Sequence, residues 1–344
     1  MKAIVITAAN TAKVLEVTTP IPAAGEILIR VESCLLCTWE QRIFSGASMK
    51  LPYIAGHELS GVVEFIPDET ITSFKVGDKV VAKTLDNCGH CEACYRGDDN
   101  QCTGIVKKRM YDGIGAAGGL AQYINLSVNR VFYLENQEVS YDSAAFSEPV
   151  ACCLRSMDRA KIELGEDVVI VGAGIMGQLH NLLAKISGAR TIIVEPDSKR
   201  RELALEMGAD FAINPMECNA IEKIKELTHG RGAHVVFLTV TMTALAKDYL
   251  AALSKMGRMV YYGSFYPDGD ITINPNEIHY SEKVITGSSS PNIKGFWTAA
   301  KLLADGLINV KPFISENFGI DDCEEAFKRA MEKDTYRVAI NLWK

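Results

Sequence analysis

The chain has 344 residues, 48% of them apolar and 23% charged, and a formal net charge of −7. That length allows two domains with sizeable cores, and the acidic balance offers no basic surface for a phosphate backbone, which argues against a nucleic-acid partner. The opening MKAIVITAAN lacks a long apolar leader and no apolar run approaches a membrane span, so a cytoplasmic protein with no membrane partner is expected.

The first 65 residues read as short strands, KAIVIT, EILIRVESC and LSGVVEFI, separated by turn residues such as Pro20, Pro22 and Gly25. This is a β-rich lobe. Within it, Cys34 and Cys37 stand in an apolar run, and His57 and Glu58 precede the third strand in AGHELSG. Taken singly, these residues are ambiguous: a cysteine in an apolar run serves as a small core hydrophobe. KVGDKVVA adds a further strand after a Gly-Asp turn.

The segment NCGHCEACYRGDDNQC then places Cys88, Cys91, Cys94 and Cys102 in a C-x2-C-x2-C-x7-C array. Ten cysteines in a long chain without a secretory leader point to metal ligation rather than disulfides. Four thiolates close a tetrahedral zinc shell and leave no position for water or substrate, so this site is structural. The surrounding polar, turn-rich segment, about residues 86–103, has little core of its own, and the metal would supply its folding energy. An iron–sulfur cluster and four metal-free thiols are the alternatives. His90 decorates this lobe.

From Ser143 to Lys161 the pattern is helical, and from Asp167 apolar strands alternate with amphipathic helices. VVIVGAG, ARTIIVEP, HVVFLTV, RMVYYGS and KVITGSS form the strand series, the signature of a parallel sheet with helices on both faces. VVIVGAGIMGQLHNLLA carries Gly172, Gly174 and Gly177 as G-x-G-x-x-G, with Ile175 and Met176 opening the helix. The three glycines allow a tight turn, close approach of backbone to a pyrophosphate, and close helix–strand packing. Free N–H groups at the helix start then face the phosphates. Glu195 ends the next strand, where a carboxylate accepts hydrogen bonds from ribose hydroxyls and repels a 2′-phosphate. NAD is expected over NADP, although Lys199, Arg200 and Arg201 follow closely and could meet a 2′-phosphate. GFWTAAKLLADGLI, CEEAFKRAMEK and RVAINL close the chain as two helices and a strand.

Taken together, C-x-x-C at Cys34–Cys37, GHELSG at 56–61, VGDKV at 76–80, the cysteine array, GGLAQY at 118–123, SEPVAC at 147–152 and VGAGIMG at 171–177 resemble the zinc-dependent medium-chain alcohol dehydrogenase family. The nearest branch is that of polyol (sorbitol-type) and L-threonine dehydrogenases, and the resemblance runs nearly end to end. It implies an α/β chain: a GroES-like β-rich catalytic domain at 1–150, a Rossmann domain with a doubly wound parallel sheet at 151–289, and a return to the catalytic domain at 290–344. It implies two zinc ions per chain, one structural and one catalytic, the latter in a cleft between the domains. Carried over by position, Cys37, His57 and Glu58 would be direct ligands of the catalytic ion, and Glu148 would approach it directly or through water. Cys34 matches a position that is not a ligand. Arg200 would sit near the adenosine, and relatives form dimers or tetramers.

The run Cys37-Thr38-Trp39-Glu40 departs from the family pattern. Glu40 keeps a carboxylate where the family has an Asp that supports the zinc histidine, but Trp39 replaces the Ser or Thr that relays the substrate proton. An indole N–H donates but cannot accept a proton. Thr38, Glu148 or bulk water would have to take that task, and Arg42 stands where many relatives have a relay His. Cys152 and Cys153 are expected in the core; His180, His229, His234 and His279 are read as structural. The expected activity is hydride transfer between NAD and a secondary alcohol of a polyol, sugar acid or amino alcohol, a polar small molecule. The rivals are L-threonine 3-dehydrogenase activity and a nucleotide-binding protein of the same fold without catalysis.

Overall fold

The computed structural model describes residues 1–106, 108–265 and 268–344. The chain divides into one compact unit formed by Met1–Ala151 with Asn292–Lys344, and a second formed by Cys152–Pro291.

The first unit is organised by one long strand, Glu26–Leu36, whose eleven residues are mostly buried. Its N-terminal half pairs with Tyr123–Ser127, its C-terminal half with Arg337–Asn341, and its other edge with Glu58–Phe65. Its apolar residues Ile27, Leu28, Ile29, Val31, Leu35 and Leu36 suit a strand that is covered on both faces. The register fixes what meets at its end. Leu35 lies opposite Glu58 and Leu36 opposite Val338, so Cys37, Glu58 and Arg337 arrive together at one edge of the sheet. A side chain one register step away would face the other side of the sheet. A second sheet runs Thr11–Glu16, Lys2–Ala8, Tyr53–Ile54, Ile114–Ala116 and Met110–Tyr111. The last pair is a hairpin around Asp112-Gly113 that the hydrophobic pattern alone does not announce.

Two glycines explain why separate motifs share a place. Gly56 has φ +95°, and a Cβ there would lie 2.4 Å from Leu120 N; one on Gly119 would lie 2.7 Å from the Gly56 carbonyl carbon. GHELSG and GGLAQY therefore pack backbone against backbone, a contact that only glycine permits.

The second unit is a six-stranded, all-parallel sheet in the order Phe211–Ile213, Arg190–Val194, Asp167–Val171, Ala233–Leu238, Leu253–Tyr262, Val284–Ser288. In sequence order this is 3-2-1-4-5-6, the dinucleotide-binding arrangement in which the order reverses at the first strand. All five residues of Asp167–Val171 are buried, as a central parallel strand requires. Both expected fold types, GroES-like and Rossmann, are present.

Inside the second unit, His180 is wholly buried on the helix Ile175–Ile186. Its Nδ1–H donates to Met176 O at 2.7 Å, its Nε2 meets Ser156 Oγ, and its ring packs on Phe237 and Tyr262. The structural role expected for it is a core one, and burial pushes its pKa down to about 4. The unfolded histidine titrates near ~6.5, so between these values the unfolded chain holds protons that the folded chain refuses. Unfolding free energy should therefore fall as pH drops from about 6.5 to 4, by up to about 3 kcal/mol. Urea midpoints across this range should show that slope, and His180→Gln should flatten it.

Candidate functional site

The site is assembled around the N-terminus of the short helix Thr38–Phe44. Cys37 is its N-cap: the sulfur accepts from Trp39 N–H at 3.2 Å, while Glu40 Oε2 accepts from Cys37 N–H at 3.1 Å. This is the reciprocal arrangement of a capping box, here built on a thiol. The other Glu40 oxygen accepts from Gly56 N–H at 3.2 Å and meets His57 Nδ1 at 2.6 Å. Glu40 is fully buried. Burial would raise its pKa, but the His57 charge and hydrogen bond outweigh this and lower it.

With Nδ1 engaged by Glu40, His57 turns Nε2 toward Cys37 Sγ at 3.5 Å. Zinc bonds of about 2.3 Å to sulfur and 2.0–2.1 Å to nitrogen, at a tetrahedral angle, separate the two donors by about 3.6 Å. The donor spacing fits a zinc ion. Burial pushes the Cys37 thiol up to about 12, so an ion is what would hold it as thiolate. Burial would lower the His57 pKa, but Glu40 and Cys37 raise it well above the ordinary value.

Glu58 and Glu148 place carboxylate oxygens within 4.8 Å of a His57 ring nitrogen and of each other. Both are nearly buried. Arg337 binds Glu58 in a fork, Nε to Oε2 and Nη2 to Oε1, each at 2.8 Å, with 6% and 1% of the two side chains exposed. Each Glu58 oxygen keeps a second lone pair for another partner, and the pair offsets a carboxylate charge that would otherwise be costly to bury. Glu148 lies in the first turn of the helix Ser147–Ala160, where the helix dipole favours a negative charge. Sequence spacing gives no signal for Arg337: it joins the site from 279 positions away through sheet register.

The remaining expected participants are placed unequally. Trp39 is half-buried and lies edge-on to His57, with ring centroids 5.2 Å apart, and to Tyr53 at 6.0 Å. Thr38 is exposed, and its hydroxyl makes no hydrogen bond among the described residues. Cys34 is fully buried in the core, and so is Cys153.

The four-cysteine lobe is gathered as one group, with all four sulfurs within 4.8 Å of one another. Cys91 Sγ lies 3.5 Å from Cys94 Sγ and 3.8 Å from Cys102 Sγ, against about 3.8 Å for two thiolates on a tetrahedral zinc. The donors fit that ion as well. Backbone N–H groups of Cys94 and Thr103 lower the Cys91 pKa to about 5. The lobe is anchored by a buried pair, Lys83 Nζ to Asp99 Oδ2 at 3.0 Å. Asp99 Oδ1 also accepts from Ile293 N–H at 2.9 Å, and Asn292 Nδ2 donates to Gly97 O at 3.0 Å.

In the second unit, Gly172 has φ +98°, and a Cβ on it would lie 2.8 Å from Thr239 Oγ1; one on Gly177 would lie 2.0 Å from Gly172 O. Gly174 is the N-cap of the helix opened by Ile175 and Met176, and its flank is open apart from Arg200 Nη1 at 3.8 Å from a Cβ built there. The bare turn suits an approaching phosphate. Glu195 is buried, its Oε2 accepting from Ala173 N–H at 2.7 Å and its Oε1 from Asp197 N–H at 3.0 Å. These bonds fix the carboxylate beside the turn and leave further lone pairs for ribose hydroxyls.

The comparisons with known proteins agree with the fold of both units. Residues 23–136 match the alcohol dehydrogenase GroES-like domain and residues 176–305 the zinc-binding dehydrogenase domain. The chain is 32% identical to L-threonine 3-dehydrogenase of Pyrococcus horikoshii, over 96% of this chain and 95% of that protein. It is 29% identical to sorbitol dehydrogenase of Bacillus subtilis, over 94% and 92%. Galactitol-1-phosphate dehydrogenase of Escherichia coli shares the fold, with a TM-score of 0.87 at 24% identity, over 99% of this chain and all of that one. With both domain models matched and an end-to-end relative above 30% identity, the chain belongs to the zinc-dependent medium-chain alcohol dehydrogenase family.

Proposed function

We propose that this chain is an NAD-dependent dehydrogenase of a polar secondary alcohol, with one zinc ion at Cys37, His57, Glu58 and Glu148 and a second at Cys88, Cys91, Cys94 and Cys102. The observation that carries the reading is the His57 ring, its Nδ1 held by buried Glu40 and its Nε2 3.5 Å from Cys37 Sγ. Zinc at that centre supplies Lewis acidity, which brings the pKa of an alcohol hydroxyl toward neutrality.

The chain's own residues do the rest. Glu40 sets the tautomer and orientation of His57, which also strengthens the imidazole as a donor. Arg337 holds Glu58 in place and offsets its charge. Trp39 and Tyr53 wall one side with aromatic surface. Trp39 cannot take the hydroxyl proton, and exposed Thr38 has no hydrogen bond toward the cluster. Water, or Glu148 where it meets the ion through water rather than directly, is the outlet we assign to that proton. In the second unit, the turn Gly172–Gly177 receives the pyrophosphate and Glu195 the adenosine ribose, with Arg200 beside the turn. A carboxylate fixed at the ribose position disfavours a 2′-phosphate, which supports NAD over NADP.

Carboxylate ligands and the relatives' names support a polyhydroxy or amino-alcohol substrate. A second reading, oxidation of the L-threonine hydroxyl, rests on the 32% identity to the Pyrococcus enzyme of that name. No helix among the described residues is long and apolar enough to cross a membrane. We place the protein in the cytoplasm, as a homodimer or homotetramer.

Assay of a panel of polyols, sugar acids and L-threonine with NAD, followed at the absorbance of reduced nicotinamide, should find turnover with at least one. His57→Ala should abolish it and leave one zinc per chain by elemental analysis. An intact protein with a single metal, all of it in the thiolate lobe, would overturn the assignment. Glu40→Gln should weaken zinc retention at the catalytic centre by about 10–100-fold in chelator competition, without emptying the lobe. Cys94→Ala should release the other ion and lower the melting temperature, with His57-dependent zinc retained. For the cofactor, kcat/KM should favour NAD over NADP, and Glu195→Gln should narrow that ratio.

A further inference from the structure

The glycine turn of the second unit leaves the sheet between two strands, and its backbone is held from both sides. On one side, Gly172 N–H donates to Val194 O at 2.8 Å. On the other, the register pairs Val171 with Leu238, which sets Thr239 beside the start of the turn. Thr239 N–H donates to Val171 O at 3.1 Å, and the Thr239 hydroxyl donates to the same carbonyl at 2.8 Å. The hydroxyl also stands 3.4 Å from Gly172 O.

These contacts meet the first two peptide planes of the turn. The plane joining Val171 to Gly172 has its N–H on Val194 and its carbonyl on Thr239. The plane joining Gly172 to Ala173 has its N–H on Glu195 Oε2 at 2.7 Å and its carbonyl turned to the same hydroxyl. A peptide plane is rigid, so a contact on its oxygen also aims its N–H.

The hydroxyl fits where side chains are missing. A Cβ on Gly172 would lie 2.8 Å from Thr239 Oγ1, closer than real side chains approach, and one on Gly177 would lie 3.4 Å from it. The flank of Gly174, in contrast, is open. The first and third glycines thus admit a hydroxyl from the neighbouring strand end, and the second stays bare for a phosphate.

We propose that Thr239 is a positioning residue for the dinucleotide. Its hydroxyl fixes the first two planes of the turn, so that the free N–H groups opening the helix Ile175–Ile186 meet the pyrophosphate. This rests on the assignment of NAD to the turn and adds to it a residue outside the G-x-G-x-x-G run.

The test is calorimetric titration of NAD and, separately, of adenosine into the full chain with its metal content held constant. Thr239→Ala removes the hydroxyl without adding bulk and should raise the Kd for NAD about threefold to tenfold. Thr239→Val, a second hydroxyl-free variant of nearly the original volume, should weaken NAD in the same direction. Thr239→Ser restores the hydroxyl and should return the Kd to that of the unaltered chain. Adenosine carries no phosphate, so its affinity should be the same in all four proteins. NAD affinity that Thr239→Ala and Thr239→Val leave unchanged overturns the proposal, as does a loss that Thr239→Ser fails to restore or that adenosine shares in equal measure. Absence of NAD binding by the unaltered chain overturns the cofactor assignment itself, and this proposal with it.

Discussion

A single buried carboxylate, that of Glu40, joins the pieces of the site. It accepts from the N–H of Cys37, from the N–H of Gly56 and from His57 Nδ1. One side chain thus closes the start of a helix, pins the loop ahead of a strand, and aims an imidazole. The two backbone contacts are buried, so losing the carboxylate would strand two backbone donors at once. The distance between the Cys37 sulfur and the His57 nitrogen follows from these three bonds. In that sense the donor set is preorganised by hydrogen bonding before any ion arrives.

The sheet supplies the coarser half of that precision. Glu26–Leu36 is paired on both sides, and its register with Glu58–Phe65 and Arg337–Asn341 brings residues 37, 58 and 337 to one edge. A slip by one residue would send Glu58 to the opposite face. Gly56 and Gly119 add a second constraint, since their backbones meet too closely for any side chain. The glycine motifs in this unit are therefore packing devices that hold the histidine loop, whereas Gly174 in the other unit has an open flank.

The sequence was informative where chemistry is local. The four cysteines lie within fifteen positions, the glycine turn within six, and Glu40 three after Cys37; turn geometry brings such residues together without help from the rest of the chain. Alternating strands and helices likewise identified the parallel sheet, because burial on both faces leaves long apolar runs. What could not be read are contacts made by register between distant strands. Arg337 is one such residue, an arginine in RVAINL with no local hint that it would neutralise Glu58. The hairpin Met110–Tyr111 and Ile114–Ala116 is another, its strands too short for a period to emerge. Trp39 was visible as a departure, but its edge-on contact with His57 is a matter of side-chain packing.

The two cysteine-containing centres illustrate how ligand choice separates structure from reactivity. In the lobe every donor is a thiolate, the spacing closes a tetrahedron, and Lys83 with Asp99 ties the lobe to the residues at 292–293. Four thiolates on one ion would leave no position for substrate. At Cys37 only one cysteine is present, and the carboxylates nearby are placed differently: Glu40 is held by His57 and two backbone N–H groups, Glu58 by Arg337, and Glu148 stands in the first turn of a helix. A carboxylate donates less charge to a metal than a thiolate does. Under the proposed assignment, strong, closed ligation would serve the part that must not move, and weaker, partly committed ligation the part that admits an alcohol.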